Sequence, residues 1–337
     1  LEGNGRFIDN IIDGIWTTCE ETFWGVPAHM SRQKAGVGLP DVEEPIVDLF
    51  AAEAAALLAW TWYLVGDQLD THSSLIGDRI KLEINRRILM PCQDRNFNWM
   101  GFDNPERRVN NWNPWIISNW LTCALVIETD QTRRAKLVAR ALKALDNFID
   151  PYPKDGGCDE GPGYWNRAGG TLYDCLEILL SASNARIDVY DEPLIQEIGR
   201  FPHRTQISGS YFVNFADAAA RVSLPPSVIF GYGKRIGDPD MMAIGAWSAG
   251  VEKLAEAGMD DSLGRQLRSL PLLEEILATE PRQPLPDTTW LPDIEVVCAR
   301  DKTGTTDGFF LAAKGGHNEE SHNHNDIGHF IVYLDGC

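Results

Sequence analysis

The sequence predicts a mainly α-helical protein that continues into an all-β segment at its C-terminal end. From about residue 43 to about residue 280, apolar residues recur at three- and four-residue steps, the spacing of helices with one buried face. A proline-rich stretch follows, and after it come short runs of β-branched and aromatic residues separated by Gly and Asp. We therefore expect a helical domain over 1–280, a linker over 281–293 and the beginning of a sheet domain over 294–337.

Nine segments carry the helical pattern. They cover residues 44–69, 73–90, 113–128, 131–149, 169–183, 193–201, 211–222, 240–258 and 272–279. Helices in such succession, with no strand pattern between them, predict stacked helical hairpins. The segment 73–90 is expected to stop before Pro91, because proline interrupts a helix interior. The richest apolar run, residues 49–66, is interrupted by Glu53 and is interpreted as a buried helix, so no membrane partner is expected.

The C-terminal strands are predicted at three places. The runs IEVVCAR, GFFLAAK and HFIVYLDG, at residues 294–300, 308–314 and 329–336, are rich in strand-forming residues and are bounded by turn residues. They are too few to enclose a core of their own. The chain opens without an initiator Met and stops just after a strand-like run, so we expect that both ends are missing.

Charge and cysteine content restrict the partners. The net charge of −19 argues against nucleic acid and against an anionic membrane surface. A small anionic substrate stays compatible, because a cleft can hold local Arg and Lys. The seven cysteines show no CxxC spacing and are expected to be mostly buried thiols. This favours a reducing, cytoplasmic compartment. A periplasmic or secreted location also fits if an N-terminal leader is missing. No pattern indicates an oligomeric state.

The first stretch with chemical potential is RRVNNWNPW, residues 107–115. Asn110, Asn111 and Trp112 stand there directly before an apolar helix. One interpretation is helix capping, for which Asn is a preferred residue. The other is sugar binding, because indole faces stack on sugar rings and amides donate to carboxylate and hydroxyl oxygens.

The second stretch is the glycine-rich loop 154–170. Glu160, Tyr164, Trp165 and Arg167 supply a carboxylate, a phenol, a stacking surface and a cation. Loops of this kind position functional side chains on a rigid scaffold. The alternative is a connector that holds an incidental aromatic anchor.

The third stretch is GGHNEESHNHNDIGHF. Four of the seven histidines, from His317 to His329, fall within thirteen residues. If the backbone is extended, His322, His324 and Asp326 share one face, since alternate residues of a strand point the same way. Two imidazoles on one face suit half of a zinc site or a proton-transfer site. A solvated polar turn is the third interpretation.

Together, NNW (110–112), EGPGYW (160–165) and SHNHNDIGHF (321–330) resemble the heparinase II/III family of polysaccharide lyases. The segment WGVPAH (24–29) is similar to an early element of that family. The resemblance covers most of the chain. It implies an incomplete (α/α) toroid followed by an antiparallel β-sandwich, and cleavage of uronic-acid glycans by β-elimination.

The resemblance also implies roles for individual residues. Asn110 or Asn111 would offset the charge of the carboxylate beside the C5 proton. Tyr164 would act as acid and, for one C5 configuration, as base, and His322 would be the second proton-transfer group. Imidazole titrates near neutral pH and suits either direction of transfer, whereas a phenol needs a nearby cation or hydrogen-bond donor to act as base. His324 would hold a structural zinc ion.

Further zinc ligands would lie downstream, at least one of them past Cys337, so the site is expected to be incomplete. The residues expected to contact an acidic polysaccharide are Trp112, Glu160, Trp165, Arg167 and Arg107. Arg167, Arg107 and Arg108 are the cation candidates for the phenol, and His317 and His329 are expected to make local hydrogen bonds. Because few Arg and Lys cluster near the motifs, we expect a weakly sulfated or unsulfated uronate.

Two other functions stay open at this point. An α/α toroid also supports glycoside hydrolases with paired carboxylates. Asp159 and Glu160 are adjacent in sequence and rarely would face each other, so the partner of Glu160 would come from elsewhere, such as Asp67 or Asp217. A non-catalytic acidic-glycan-binding protein is the third candidate.

Overall fold

The computed structural model describes residues 3–104, 108–251, 262–322, 324–325 and 327–337. The chain divides into two compact units. The first comprises Leu1–Pro151 and Ser262–Gly264, and the second comprises Tyr152–Asp261 and Arg265–Cys337. This division differs from the expected boundary near residue 280, because the C-terminal sheet belongs to the same unit as the later helices.

Six α-helices build the described part of the first unit. They are α1 (Ile8–Glu20), α2 (Leu49–His72), α3 (Ser74–Ile84), α4 (Met90–Asp94), α5 (Trp112–Ile127) and α6 (Gln131–Ile149). The side chain of Asp48 caps α2 by accepting from the N–H of Ala51 at 2.8 Å. Helix α2 packs against α3 and α5, and α5 packs against α6. The core of this unit therefore lies along α2 and α5.

Helix α2 is also long and apolar enough, by length and composition, to cross a membrane. Buried core helices pass the same test. Here Ala52, Ala55 and Ala59 are inaccessible, and the indole N–H of Trp115 in α5 donates to Glu53 at 2.7 Å. The polar residue that interrupts the apolar run is therefore a tether between two packed helices.

Six further helices are described in the rest of the chain. They are α7 (Gly169–Ala182), α8 (Pro193–Arg204), α9 (Pro226–Arg235), α10 (Pro239–Val251), α11 (Leu263–Ser269) and α12 (Leu273–Ala278). Phe230, Ala249 and Ile276 form a buried cluster between α9, α10 and α12. Arg265 and Arg268 of α11 both donate to Asp174 of α7, at 2.8 and 2.5 Å, and so connect these two helices.

Two antiparallel sheets complete the second unit. A small hairpin pairs β1 (Gln206–Ser208) with β2 (Tyr211–Phe212). The larger sheet has the order β3-β4-β5-β6, formed by Thr288–Leu291, Val296–Arg300, Phe309–Lys314 and Phe330–Leu334. Its register brings Cys298 opposite Ala312, and Ala312 opposite Ile331. Along β4 and β5, alternate side chains are buried, as a sheet covered on one face requires.

The predicted order of helices followed by strands is confirmed, but several elements differ. Residues 211–222 were expected to be helical and instead form β2 and a loop, since the N–H groups of Phe212 and Val222 bond across that loop to Ala220 and Ser210. Strand β3 lies inside the expected linker. Helices α1 and α9 were not predicted. The predicted helix 240–258 leaves the described residues after Val251.

The end of the second predicted helix also differs. A π-helical turn, Asn85–Leu89, follows α3, and the chain stays helical through Asp94. Pro91 therefore does not end the helical stretch. It is the second residue of α4 and directly follows the π-helical turn, the kind of helix irregularity at which a proline is accommodated.

Candidate active site

The glycine-rich loop before α7 lies directly against the segment that follows β2. Gly161 has a φ of +85°, a backbone conformation that side chains rarely adopt. A Cβ there would stand 2.6 Å from Cβ of Ala218 and 2.8 Å from the carbonyl oxygen of Phe215. Glycine at this position therefore lets the loop that carries Glu160 and Tyr164 approach the segment 215–218.

Four side chains of the second unit meet beside this contact, and we call them the imidazole–carboxylate cluster: Glu160, Asp217, His322 and His324. His322 Nδ1 lies 2.6 Å from Oδ2 of Asp217, and His324 Nε2 lies 2.5 Å from Oδ1. The remaining nitrogen of His322, Nε2, lies 3.7 Å from Oε1 of Glu160. One carboxylate thus holds two imidazoles, and the first of these also faces a second carboxylate.

The protonation pattern of the cluster follows from its charges. Burial raises the pKa of Asp217, but the hydrogen bonds and charges of His322 and His324 outweigh this and lower the pKa below its ordinary value. The carboxylate is therefore ionised at neutral pH and can only accept hydrogen bonds. His322 Nδ1 and His324 Nε2 must then be the donors. This leaves His322 Nε2 as the nitrogen that can exchange a proton on the side of Glu160.

The backbone of the histidine segment is a turn and not an extended strand. His322 and Asn325 both have a φ of +58°, in the left-handed region, and the strand begins only at Phe330. The expectation that alternate residues share one face is therefore wrong for the described residues. His322 and His324 meet through Asp217 instead. Asn323 and Asp326 lie outside the described residues.

Tyr164 presents its side chain on the surface of the second unit. It is 39 % exposed and precedes a 3₁₀ turn, Trp165–Arg167. Its carbonyl accepts from the N–H of Arg167 at 2.8 Å, and its own N–H donates to Gly161 at 3.2 Å. The backbone is thus fixed while the phenol stays accessible. Arg167, the cation expected beside it, is partly exposed.

Trp165 and Glu160 differ from the expected substrate contacts. Trp165 is fully buried, donates from its indole N–H to the carbonyl of Ile198 at 2.7 Å, and packs near Tyr232. The prediction that it stacks on sugar is wrong, because its faces are used in the core. Glu160 is only 3 % exposed. Its Oε1 lies 3.7 Å from His322 Nε2, and its burial distinguishes it from an open sugar-binding group.

In the first unit, the Asn–Asn–Trp motif forms the entry to α5. Asn110 is exposed, and its side-chain oxygen accepts from the N–H of Trp112 at 3.2 Å. This leaves the donor end of the amide outward. Asn111 is 5 % exposed and occupies the N-cap position without a side-chain capping bond. Both amides therefore lie at the start of α5, where Asn110 accepts from the first helical N–H and Asn111 is buried.

The next two polar and aromatic positions of the motif are structural. Asn113 is inaccessible and donates from its amide to the carbonyls of Trp99 and Ala144, at 2.8 and 2.7 Å. Trp115 is tethered to Glu53 of α2. The motif thus combines buried or tethered residues with one exposed amide, that of Asn110. Arg107, another expected substrate contact, lies outside the described residues.

Trp112 is flanked by two side chains from the WGVPAH region. The ring of His29 lies 4.7 Å from the indole, centroid to centroid, at an interplanar angle of 58°. The guanidinium carbon of Arg32 lies 4.7 Å from the indole centroid. His29 Nδ1 is bound in turn to Asp48 at 2.6 Å. The Asn–Asn–Trp and WGVPAH segments, more than eighty residues apart, are therefore neighbours in the first unit.

The zinc prediction can be compared with the side chains present. His324 is engaged by Asp217. Across the described ranges, no three His, Cys, Asp or Glu side chains come together as a metal would require. The zinc site at His324 therefore stays a prediction from the sequence. His317 makes a local contact with the N–H of Glu319 at 3.3 Å, and His329 packs edge-on against Phe215.

Two residues of these clusters carried no specific signal in the sequence. The sequence indicates Asp217 only as a possible second carboxylate for hydrolysis. Its contact with His322 spans 105 residues, and a lone Asp in an alanine-rich run predicts no such partner. The sequence position of Asp48 indicates a helix cap, and its side chain does cap α2. Its second carboxylate oxygen also binds His29. Only the three-dimensional fold reveals these second uses.

Comparison with known proteins adds a likeness of fold. No protein-family model matches the chain, and neither does any curated protein. Among solved structures, the crystal structure of heparinase III is similar, with a TM-score of 0.65 and 11 % sequence identity. The match covers 100 % of this chain and 46 % of that chain, so this chain spans less than half of the heparinase III chain.

At this identity the likeness shows the fold alone. The predicted fold class is confirmed: the helical part resembles the toroid of heparinase III, and a four-stranded antiparallel sheet follows it. The sequence resemblance to heparinase II/III proteins is thereby supported as a likeness of fold, without assigning the chain to that family.

Proposed function

We propose that the protein is a polysaccharide lyase that cuts uronic-acid-containing glycans by β-elimination. The observation that carries this proposal is the arrangement in the second unit. There, an imidazole oriented by an ionised Asp217 lies against the loop that presents the exposed phenol of Tyr164. The fold likeness to heparinase III supports the same class. The substrate is an acidic polysaccharide or oligosaccharide.

The reaction needs three groups, and the chain offers a candidate for each. An amide of the Asn110–Asn111 pair donates to the substrate carboxylate and offsets its charge, which makes the neighbouring C5 proton more acidic. His322 or Tyr164 accepts that proton. The electron pair forms the C4–C5 double bond while the C4–O bond breaks, and Tyr164 protonates the departing oxygen. The step is redox-neutral and consumes no water.

Asp217 is a positioning residue in this scheme. By accepting from His322 Nδ1, it fixes the tautomer in which Nε2 is the nitrogen available for proton transfer. The buried Glu160 lies beside this nitrogen, with its Oε1 3.7 Å from Nε2. The cluster is therefore suited to receive a proton and hold it.

A glycoside hydrolase is the second candidate, because Glu160 and Asp217 flank one imidazole. Hydrolysis requires two carboxylates that are both open to the glycosidic bond. Glu160 is nearly buried, and both oxygens of Asp217 are engaged by histidines. The same observations that favour a held imidazole therefore disfavour this alternative.

The proposal is tested with Tyr164→Phe in the intact protein. On a panel of uronate glycans, wild-type protein should generate the ultraviolet absorbance of a conjugated C4–C5 double bond. Tyr164→Phe should lower this rate at least a hundredfold, the usual range for a lost acid–base group, and still bind glycan. Tyr63→Phe, at another exposed tyrosine, is the matched control. Undiminished elimination by Tyr164→Phe would reject the assignment.

A further inference from the structure

We propose that His29 and Arg32 form an anion-binding subsite around Trp112, which binds an acidic group of the glycan beside the Asn110–Asn111 pair. The proposal deepens the proposed lyase function and rests on it. All of these residues belong to the first unit. The ligand chemistry is an oxyanion, either a uronate carboxylate or a sulfate ester.

The first argument is the way in which His29 is held. Asp48 is fully buried, and its Oδ1 accepts from the N–H of Ala51 at 2.8 Å, which completes the cap of α2. Its Oδ2 accepts from the N–H of Val26 at 3.3 Å and lies 2.6 Å from His29 Nδ1. Capping alone uses only one carboxylate oxygen. The second oxygen fixes an imidazole whose side chain is 19 % exposed.

The preceding residues are adapted to this contact. A Cβ on Gly25 would stand 2.6 Å from Oδ2 of Asp48, so only glycine allows the carboxylate so close to the backbone. With Nδ1 committed to Asp48, Nε2 is the ring nitrogen left to meet a ligand. The buried carboxylate thus fixes the orientation of a partly exposed imidazole, which suits that ring to binding.

The second argument is the position of the two donors. His29 and Arg32 both contact Trp112, which directly follows the exposed Asn110 and the buried Asn111. Arg32 is exposed, and its planar guanidinium can bind a carboxylate or sulfate through two parallel hydrogen bonds. An imidazole and a guanidinium beside one indole, next to the exposed amide of Asn110, match the hydrogen-bond donors that an acidic sugar requires.

The third argument is electrostatic. At a net charge of −19, the protein as a whole repels a polyanion, and attraction must come from local cations. Arg32 places such a cation beside one of the proposed catalytic segments, and His29 adds a hydrogen-bonding group next to it. A ligand bound there would align its acidic group with Asn110 or Asn111.

The test uses His29→Gln and Arg32→Gln in the intact protein. The matched controls are His72→Gln, an exposed histidine at the end of α2, and Lys34→Gln, which removes the same charge two residues from Arg32. Binding of an unsulfated uronate oligosaccharide and of a sulfated one is measured by calorimetry, and KM and kcat are measured on the same glycans. Thermal unfolding verifies that each variant is folded.

Each test variant should weaken binding and raise KM about tenfold or more, as expected for a lost hydrogen bond to a charged group, while kcat changes far less. The controls should behave as wild type. A larger loss for the sulfated glycan would assign the subsite to sulfate, and an equal loss to the carboxylate. Wild-type affinity and KM in both test variants would overturn the inference.

The outcome separates this inference from the proposed function. If glycan binding depends on His29 and Arg32 but no unsaturated product forms, the lyase proposal fails and the subsite stands. If elimination proceeds and neither substitution changes KM, the subsite fails and the lyase proposal stands. Absence of binding to every uronate glycan would overturn both.

Discussion

A buried histidine in the second unit should make the protein sensitive to mild acid. His203, near the end of α8, is 7 % exposed, and within the described part of the chain neither ring nitrogen has a hydrogen-bond partner. Burial lowers its pKa from 6.5 to about 4, although the charge of Asp238 opposes this and Arg204 adds to it. The ring is therefore neutral in the folded protein near pH 5, where it is protonated in the unfolded chain.

The direction and size of the effect follow from proton linkage. Between pH 6.5 and about pH 4 the unfolded chain binds more protons at this site than the folded chain does, so the free energy of unfolding falls as pH falls. At about 1.36 kcal/mol per pH unit, the loss attributable to His203 is roughly 2 kcal/mol by pH 5 and roughly 3 kcal/mol by pH 4. Above pH 6.5 the site contributes almost no pH dependence.

The assay is urea unfolding at pH 7, 5 and 4 for wild type and His203→Phe. Phe cannot titrate and has no unsatisfied nitrogen, so the difference between the two pH profiles isolates His203 from the carboxyl groups that titrate in the same range. His72→Gln, at an exposed histidine, should retain the wild-type profile. Equal losses of stability in wild type and His203→Phe would refute the reasoning.

Three further results are expected. Asp217→Asn should lower kcat on a cleavable glycan about a hundredfold or more with an unchanged melting temperature, because it frees His322; unchanged turnover would contradict its positioning role. Gly161→Ala should lower the free energy of unfolding by about 2 kcal/mol, because a side chain at φ +85° would also clash with Ala218, and normal urea unfolding would contradict the tight contact. Trp165→Ala should cost about 3 to 5 kcal/mol of stability; a folded variant that lost only glycan affinity would restore its predicted stacking role.

Helical periodicity predicted most of the helices, but it failed where contacts with residues distant in sequence determine the local structure. The run from Ala218 to Ala220 favours helix by composition, yet hydrogen bonds across the loop hold this segment beside β2. The double proline before α9 suggests a loop, although Pro226 at the first turn is compatible with a helix start. Local propensity cannot decide such cases, because the competing contacts come from residues that are distant in sequence.

The candidate site was predicted in part for the same reason. The motifs indicated the residue types of the site, but not which Asn or which aromatic residue of each motif is exposed. Asn113 and Trp165 are buried, whereas Asn110 and Tyr164 are exposed, and all four belong to motifs of similar composition. The partners of His322 could not be predicted, since Asp217 has no motif of its own. Burial and long-range pairing are properties of the fold that a short motif does not encode.

The most direct test of the central claim is the fate of water during cleavage. Incubation of the intact protein with a uronate oligosaccharide in water enriched in the heavy oxygen isotope, followed by mass spectrometry, distinguishes the two reactions. Elimination predicts products with an unsaturated, dehydrated terminal sugar and no isotope introduced at the cleaved bond. Saturated products that carry one heavy oxygen per cleavage would show hydrolysis and contradict the proposed function.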